Sequence, residues 1–140
     1  MRKPSMPGMV LDSFALIAYF RGEPMGMQVR ELLQRAGKAD EYLHMTEVNY
    51  AEVKYMILRK NGAKAWDEVS KILTALPVTF HAADRELADL AADMKSRFSF
   101  SLADAFTAAL ARKHDADLVT GDPEFKALEH EVSIAWLARS

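Results

Sequence analysis

Apolar positions along the 140-residue chain alternate between short continuous runs and longer stretches with helical spacing. Met9-Val10-Leu11 predicts a short strand, and Ser13 the cap of a helix running to about Phe20. Pro24 and Gly26 mark a break. Val29, Leu32, Leu33 and Ala36 then share one side of a helix over 27–36, which Gly37 ends. A strand is expected over 41–45. Thr46 is the expected cap of a helix over 47–60, stopped by Asn61-Gly62. A further helix, 63–76, has Val69, Ile72, Leu73 and Leu76 on one side and breaks at Pro77. Val78 to Phe80 reads as strand, 83–95 as helix, and 101–114 as an Ala-rich helix opened by Ser101. Leu118 to Thr120 is a strand, Gly121-Asp122-Pro123 a turn, 123–128 a short helix, and 132–136 a last strand.

Short strands separated by helices predict an α/β domain: a three-layer α/β/α arrangement around a central, mostly parallel sheet. No repeat or linker divides the chain, so residues 1–140 read as one domain. Residues 1–8, with Pro4 and Pro7, form an expected loose N-terminal segment. In such folds the working cleft lies beyond the carboxyl ends of the strands.

Composition narrows the classes. The chain has no cysteine, which excludes a disulfide framework, a thiol nucleophile and thiolate metal ligation. Its longest apolar run, Phe14 to Phe20, is far short of a membrane helix, and Asp12 interrupts any leader-like segment. A cytoplasmic protein with no membrane partner is expected. Eighteen Lys and Arg against twenty Asp and Glu give a net charge of −2, so bulk charge does not drive polyanion binding.

Candidate chemistry lies at the strand ends. Strand one runs into Asp12, and the strand ending at Thr120 runs through Gly121 into Asp122. Asp104 is three residues after the cap Ser101, and Glu52 lies on the first two turns of the helix that Thr46 opens. Taken singly, each acid has a structural reading: Asp12 as a helix cap, Asp122 as a turn residue, Asp104 as a favourable charge at a helix start, Glu52 as an exposed helix acid with Glu47 as its rival. Taken together, four carboxylates from four segments converge on one edge. Such a cluster is self-repelling unless a cation occupies it. An all-oxygen donor set favours Mg²⁺, with Mn²⁺ as substitute, and such ions serve phosphodiester hydrolysis.

These segments resemble the PIN domain family, and within it the VapC-like toxins of type II toxin–antitoxin pairs. The resemblance runs from Val10 to Leu137. Val10 to Phe20 looks like the family's opening strand, Asp and helix. Thr46-Glu47-Val48-Asn49-Tyr50-Ala51-Glu52 looks like its second motif, in which a Ser or Thr stands six residues before the acid and often an Asn three before; this favours Glu52 over Glu47. Ser101-Leu102-Ala103-Asp104 and Leu118-Val119-Thr120-Gly121-Asp122 look like its third and fourth motifs. The resemblance implies a Mg²⁺-dependent endoribonuclease. Asp12, Glu52, Asp104 and Asp122 are then its catalytic and metal-binding residues, with Asp12 and Asp104 the most direct ligands and Ser13 and Thr120 orienting the carboxylates. It also implies an RNA substrate, a cognate antitoxin and a homodimer, with partner contacts near the first two helices and Met25 and Met27. The rival readings are an RNA-processing PIN nuclease without a toxin role, a different metal-dependent α/β hydrolase, and a non-catalytic binding module. A haloacid-dehalogenase-like enzyme would want Asp-x-Asp, but position 14 is Phe.

The remaining polar and aromatic residues are weaker signals. His44, His81, His114 and His130 show no ligand spacing, so a zinc site is not expected; His114 reads as a dipole partner at a helix end. Arg21, Lys54, Arg59, Lys60, Lys95 and Arg97 are candidate RNA contacts. Tyr19, Phe20, Tyr50, Tyr55, Trp66 and Trp136 read mostly as core, and Phe98 and Phe100 as loop packing.

Overall fold

The computed structural model describes residues 8–138, so the loose segment expected over 1–8 lies, apart from Gly8, outside the described residues. Five strands form one sheet: β1 (Met9–Leu11), β2 (Leu43–Thr46), β3 (Val78–His81), β4 (Asp117–Thr120) and β5 (Ile134–Trp136). Their order is β3-β2-β1-β4-β5, and every neighbouring pair is parallel. Six α-helices connect them: α1 (Ser13–Phe20), α2 (Pro24–Lys38), α3 (Glu47–Asn61), α4 (Ala63–Ala75), α5 (Arg85–Arg97) and α6 (Leu102–His114). A 3-10 helix, Pro123–Leu128, leads from β4 towards β5.

Successive strand residues point to opposite faces, and here both faces are covered. Val10 and Leu118 pack with α5 and α6, in a core with Leu87, Ala91, Met94, Phe106 and Leu110. Leu11, Met45 and Val119 pack on the other side with Leu16, Val29, Leu33, Val53 and Trp66 of α1 to α4. The expected three layers are therefore present. The chain steps from β1 outward to β2 and β3, then returns to the other side of β1 with β4. The switch point, where such sheets open a crevice, lies between β1 and β4.

Several local expectations change. Asp12, not Ser13, caps α1, its carboxylate accepting the Ala15 N–H at 2.7 Å. The break expected at Pro24 and Gly26 is instead the start of α2, with Pro24 in the first turn, where its missing N–H does no harm. Gly26 sits inside the helix because α1 is so near: a Cβ there would lie 2.1 Å from the Ala18 carbonyl oxygen. Gly37 does not end the helix, which runs on to Lys38. Thr46 and Ser101 cap α3 and α6 as expected, and Gly62 (φ +90°) closes α3. Ile72, Tyr55 and Trp136, expected in the core, are exposed, whereas Phe100 is buried against Phe98 and Phe125. Among the described residues, no helix is long and apolar enough to cross a membrane.

Candidate functional site

Asp12 directly follows β1, and Asp122 follows β4 by one residue, so the two acids flank the switch point. Asp12 is 1% exposed. One of its oxygens caps α1, and the other accepts the Thr120 hydroxyl. Thr120 in turn accepts the Asp122 N–H at 2.9 Å, and Asp122 caps the 3-10 helix through the Glu124 N–H at 3.0 Å. One threonine at the end of β4 thus sets the positions of both acids.

Asp104 enters from the first turn of α6, where Ser101 accepts its N–H at 3.1 Å. Glu52 enters from the second turn of α3. Glu52, Asp104 and Asp122 line one cleft of about 360 Å³, together with Phe14, Ile17, Arg21, Glu23 and Met56. Among the described residues, Arg21 is the only basic side chain on its wall. A larger groove, about 450 Å³, lies between α3, α4 and β3, but among the described residues its only charged group is Glu47. The two candidates on α3 therefore part: Glu52 faces the acidic cleft and Glu47 does not.

The electrostatics follow from crowding and burial. Burial foremost pushes Asp12 up to about 7, against its bonds to Thr120 and Ala15 and with help from the charges of Asp104 and Asp122. Burial also pushes Asp104 up to about 6, with added repulsion from Asp122, Glu52 and Glu124. Glu124 was not among the expected site residues. One carboxylate oxygen each from Asp104, Asp122 and Glu124 lies within 4.8 Å of the others. Its position two residues after Asp122, on the first turn of the short helix, is the signal that could have found it. Carboxylates held partly protonated by mutual repulsion and burial release that strain when a cation arrives, and an all-oxygen set suits a hard divalent ion.

Ser13 does not bond a carboxylate. Its hydroxyl donates to the Asn49 carbonyl at 3.4 Å and accepts from the Asn49 side-chain amide at 3.0 Å. The same amide donates to the Ala103 carbonyl at 3.3 Å, and its oxygen accepts the Thr46 hydroxyl. Buried Asn49 thus ties together the starts of α1, α3 and α6, the helices that carry or follow Asp12, Glu52 and Asp104. Three of the candidate RNA contacts are otherwise engaged, Arg59 lying over the Tyr55 ring. Arg97 pairs with Asp93 at 3.0 Å and Glu131 at 2.6 Å, and Lys54 lies over the Trp66 ring.

Solved structures share this fold. A toxin–antitoxin complex from Klebsiella pneumoniae superposes with TM-score 0.72 at 15% identity, covering 95% of this chain and 100% of that one. DNA-bound VapBC from Salmonella typhimurium gives 0.74 at 13%, covering 95% and 100%. VapC20 from Mycobacterium tuberculosis, described as a sarcin-ricin loop cleaving toxin, gives 0.65 at 17%, covering 86% and 95%. No curated protein sequence matches the chain. The PIN domain family model matches residues 9–131, from the first residue of β1 to just short of β5, and so takes in all four acids; the chain belongs to the PIN domain family.

Proposed function

We propose that the protein is a Mg²⁺- or Mn²⁺-dependent endoribonuclease, and the toxin of a type II toxin–antitoxin pair. The observation that carries this reading is the convergence at the switch point. Asp12 and Asp104 are pushed up to about 7 and about 6, with Glu52 and Asp122 beside them. Asp12, Glu52, Asp104 and Asp122 are the residues to hold the cation, with Glu124 at the rim. The bound cation supplies polarisation of a phosphoryl oxygen and a hydroxide nucleophile at neutral pH. Thr120 fixes one oxygen of buried Asp12, and Arg21, the one basic side chain on the cleft wall among the described residues, offers its charge to a phosphate.

Membership of the PIN family supports nuclease chemistry, and the name of the neighbour VapC20 supports RNA as the substrate. The toxin–antitoxin complexes among the neighbours support an antitoxin partner. A homodimer and a cytoplasmic setting complete the reading. Exposed Met27 on α2, Tyr55 and Leu58 on α3, and Ile72 on α4 supply apolar surface for such contacts.

The test uses partner-free protein, a pool of structured RNAs, and buffers with EDTA, Mg²⁺ or Mn²⁺. Cleavage is expected only with metal, and is expected to disappear in both Asp12→Asn and Asp104→Asn. Cleavage that survives either substitution, or proceeds in EDTA, overturns the assignment. Sedimentation of the free protein at micromolar concentration is expected to show a dimer.

A further inference from the structure

The acidic cleft uses none of the four histidines, yet three of them meet elsewhere. His44 is the second residue of β2, His81 the last of β3, and His114 the last of α6. Their ring centroids are 5.0 Å (His44 to His81), 5.1 Å (His81 to His114) and 5.7 Å (His44 to His114) apart. Nδ1 of His44 and Nε2 of His81 are 2.8 Å apart and share a proton. The expectation of scattered histidines is therefore corrected: sequence spacing hid a cluster that sheet register and the length of α6 assemble.

The spacing has a chemical meaning. Three imidazoles on one tetrahedral ion, with nitrogens about 2.05 Å from it, have neighbouring nitrogens about 3.3 Å apart and ring centroids about 5.2 Å apart. The observed centroid distances bracket that value. The charge state is also suitable. Burial, then the two neighbouring imidazoles, holds His44 below its usual value. Burial, His114 and Lys113 do the same for His81. Both rings are thus neutral at pH 7, the form that ligates metals. Among the described residues, the ammonium acting on His81 is that of Lys113, which is paired with Glu86 at 3.4 Å. The carbonyl end of α6, beside His114, favours a cation.

We propose that His44, His81 and His114 form a site for a borderline transition-metal ion, Zn²⁺ foremost, with water completing the tetrahedron. The ion takes the place of the His44–His81 hydrogen bond: the donor ring adopts the tautomer that carries its proton on the other nitrogen, both rings stay neutral, and the two facing nitrogens part by about half an ångström. His114 lies nearly parallel to His44, at 7°, and closes the site by turning its exposed ring. Among the described residues, only the Asp104, Asp122 and Glu124 set has its ligand atoms within 4.8 Å as it stands, so binding one ion requires the His114 ring to turn toward the His44–His81 pair. It clamps β2, β3 and the end of α6 together. Ten residues of α6 separate Asp104 from His114, about 15 Å, so the two sites are distinct. The inference does not rest on the nuclease reading.

The test is a Zn²⁺ titration of the full chain in excess Mg²⁺, which occupies carboxylates but competes poorly for imidazole. One Zn²⁺ per chain is expected, with micromolar or tighter affinity and a raised melting temperature. His114→Gln, at an exposed position, is expected to fold normally and weaken binding at least tenfold; His81→Asn is expected to do the same, and His130→Gln to change nothing. A Co²⁺-loaded sample is expected to show a tetrahedral visible spectrum that His114→Gln loses. No Zn²⁺ binding, undiminished binding in His114→Gln, or Zn²⁺ binding lost in Asp104→Asn but kept in His81→Asn would each overturn the proposal.

Discussion

Replacing Asp12 by Asn should make the metal-free protein more stable at alkaline pH and not at acid pH. In the unfolded chain this carboxyl titrates near 3.8, and in the fold burial pushes it up to about 7. Between those values the folded state holds a proton that the unfolded state has lost. Stability from this residue therefore falls as pH rises through that interval and stays at its floor above pH 7. At 1.36 kcal/mol per pH unit the full penalty is about 4 kcal/mol, an upper bound that local relaxation reduces. Asparagine caps a helix as well as aspartate does, so the Ala15 bond is kept, and the Thr120 hydroxyl can accept from the new amide. The expected gain at pH 8 is about 2–4 kcal/mol, or about 6–12 °C in melting temperature for a chain of this length. At pH 5, about 1.2 units above the unfolded value, the penalty has reached only about 1.6 kcal/mol, so the gain should be less than half that at pH 8, and it should vanish below about pH 3.8. Saturating Mn²⁺ should raise the melting temperature of the wild type and leave the variant nearly unmoved. The assay is thermal denaturation by circular dichroism at both pH values, in EDTA and in Mn²⁺. An equal gain at pH 5 and pH 8 would show that the effect is packing and not charge, and the electrostatic account of the site would fail.

Metal affinity should rise with pH through the 6–7 region and level off above it, because Asp104 near 6 and Asp12 near 7 must lose their protons to bind; Mn²⁺ calorimetry at pH 5.5, 6.5 and 7.5 checks this, and a flat profile contradicts it. Arg21→Gln should raise KM for RNA several-fold with kcat little changed, since in the proposed reading it removes a phosphate contact and not a group at the reacting atoms; an equal fall in kcat and kcat/KM with KM unchanged would instead place its action in the transition state alone. Gly26→Ala should destabilise by about 2–3 kcal/mol, because its Cβ would press on the backbone of Ala18 where no side chain can yield; urea melts read this, and a neutral result would mean that α1 and α2 slide apart freely.

The layered α/β architecture was legible because the strands are short apolar runs and α1, α3, α5 and α6 each start at a residue whose side chain caps them. Thr46, Ser101 and Gly62 do locally what their residue types predict. Pro24 and Gly26 misled for a tertiary reason. A proline in the first turn and a glycine at a helix crossing look, in sequence, like the same residues in a loop. Ile72 shares the helical stripe with Leu73 but lies at its edge, exposed where Leu73 is buried. Glu52 and Glu47 could be separated only by motif spacing, and the rotation of α3 gives the physical reason, turning one to the acidic cleft and the other to a different groove. The histidine cluster was invisible because its members are brought together by register between β2 and β3 and by where α6 stops.

The bland and the functional readings of the acids prove to be compatible. Asp12 caps α1, Asp122 caps the 3-10 helix, and Asp104 sits in the first turn of α6. Each is therefore a sound structural residue by itself, which is why no single acid identifies the site. The same placement explains how the cluster is tolerated. Helix N-termini point several free N–H groups and a partial positive charge at the pocket, favouring negative groups there by a few tenths to about 1 kcal/mol each. That is too little to offset the burial that lifts Asp12 to about 7, and no described basic side chain other than Arg21 lines the cleft. The fold thus supports the four acids just well enough to keep them in place and leaves their charge uncompensated. In the proposed reading, the burial penalty together with the residual repulsion is the driving force for taking up a cation. A variant that neutralised it from within, such as Met56→Lys on the cleft wall, should fold more stably and bind Mn²⁺ at least tenfold more weakly. If it bound Mn²⁺ as well as the wild type, uncompensated charge would not be what recruits the metal.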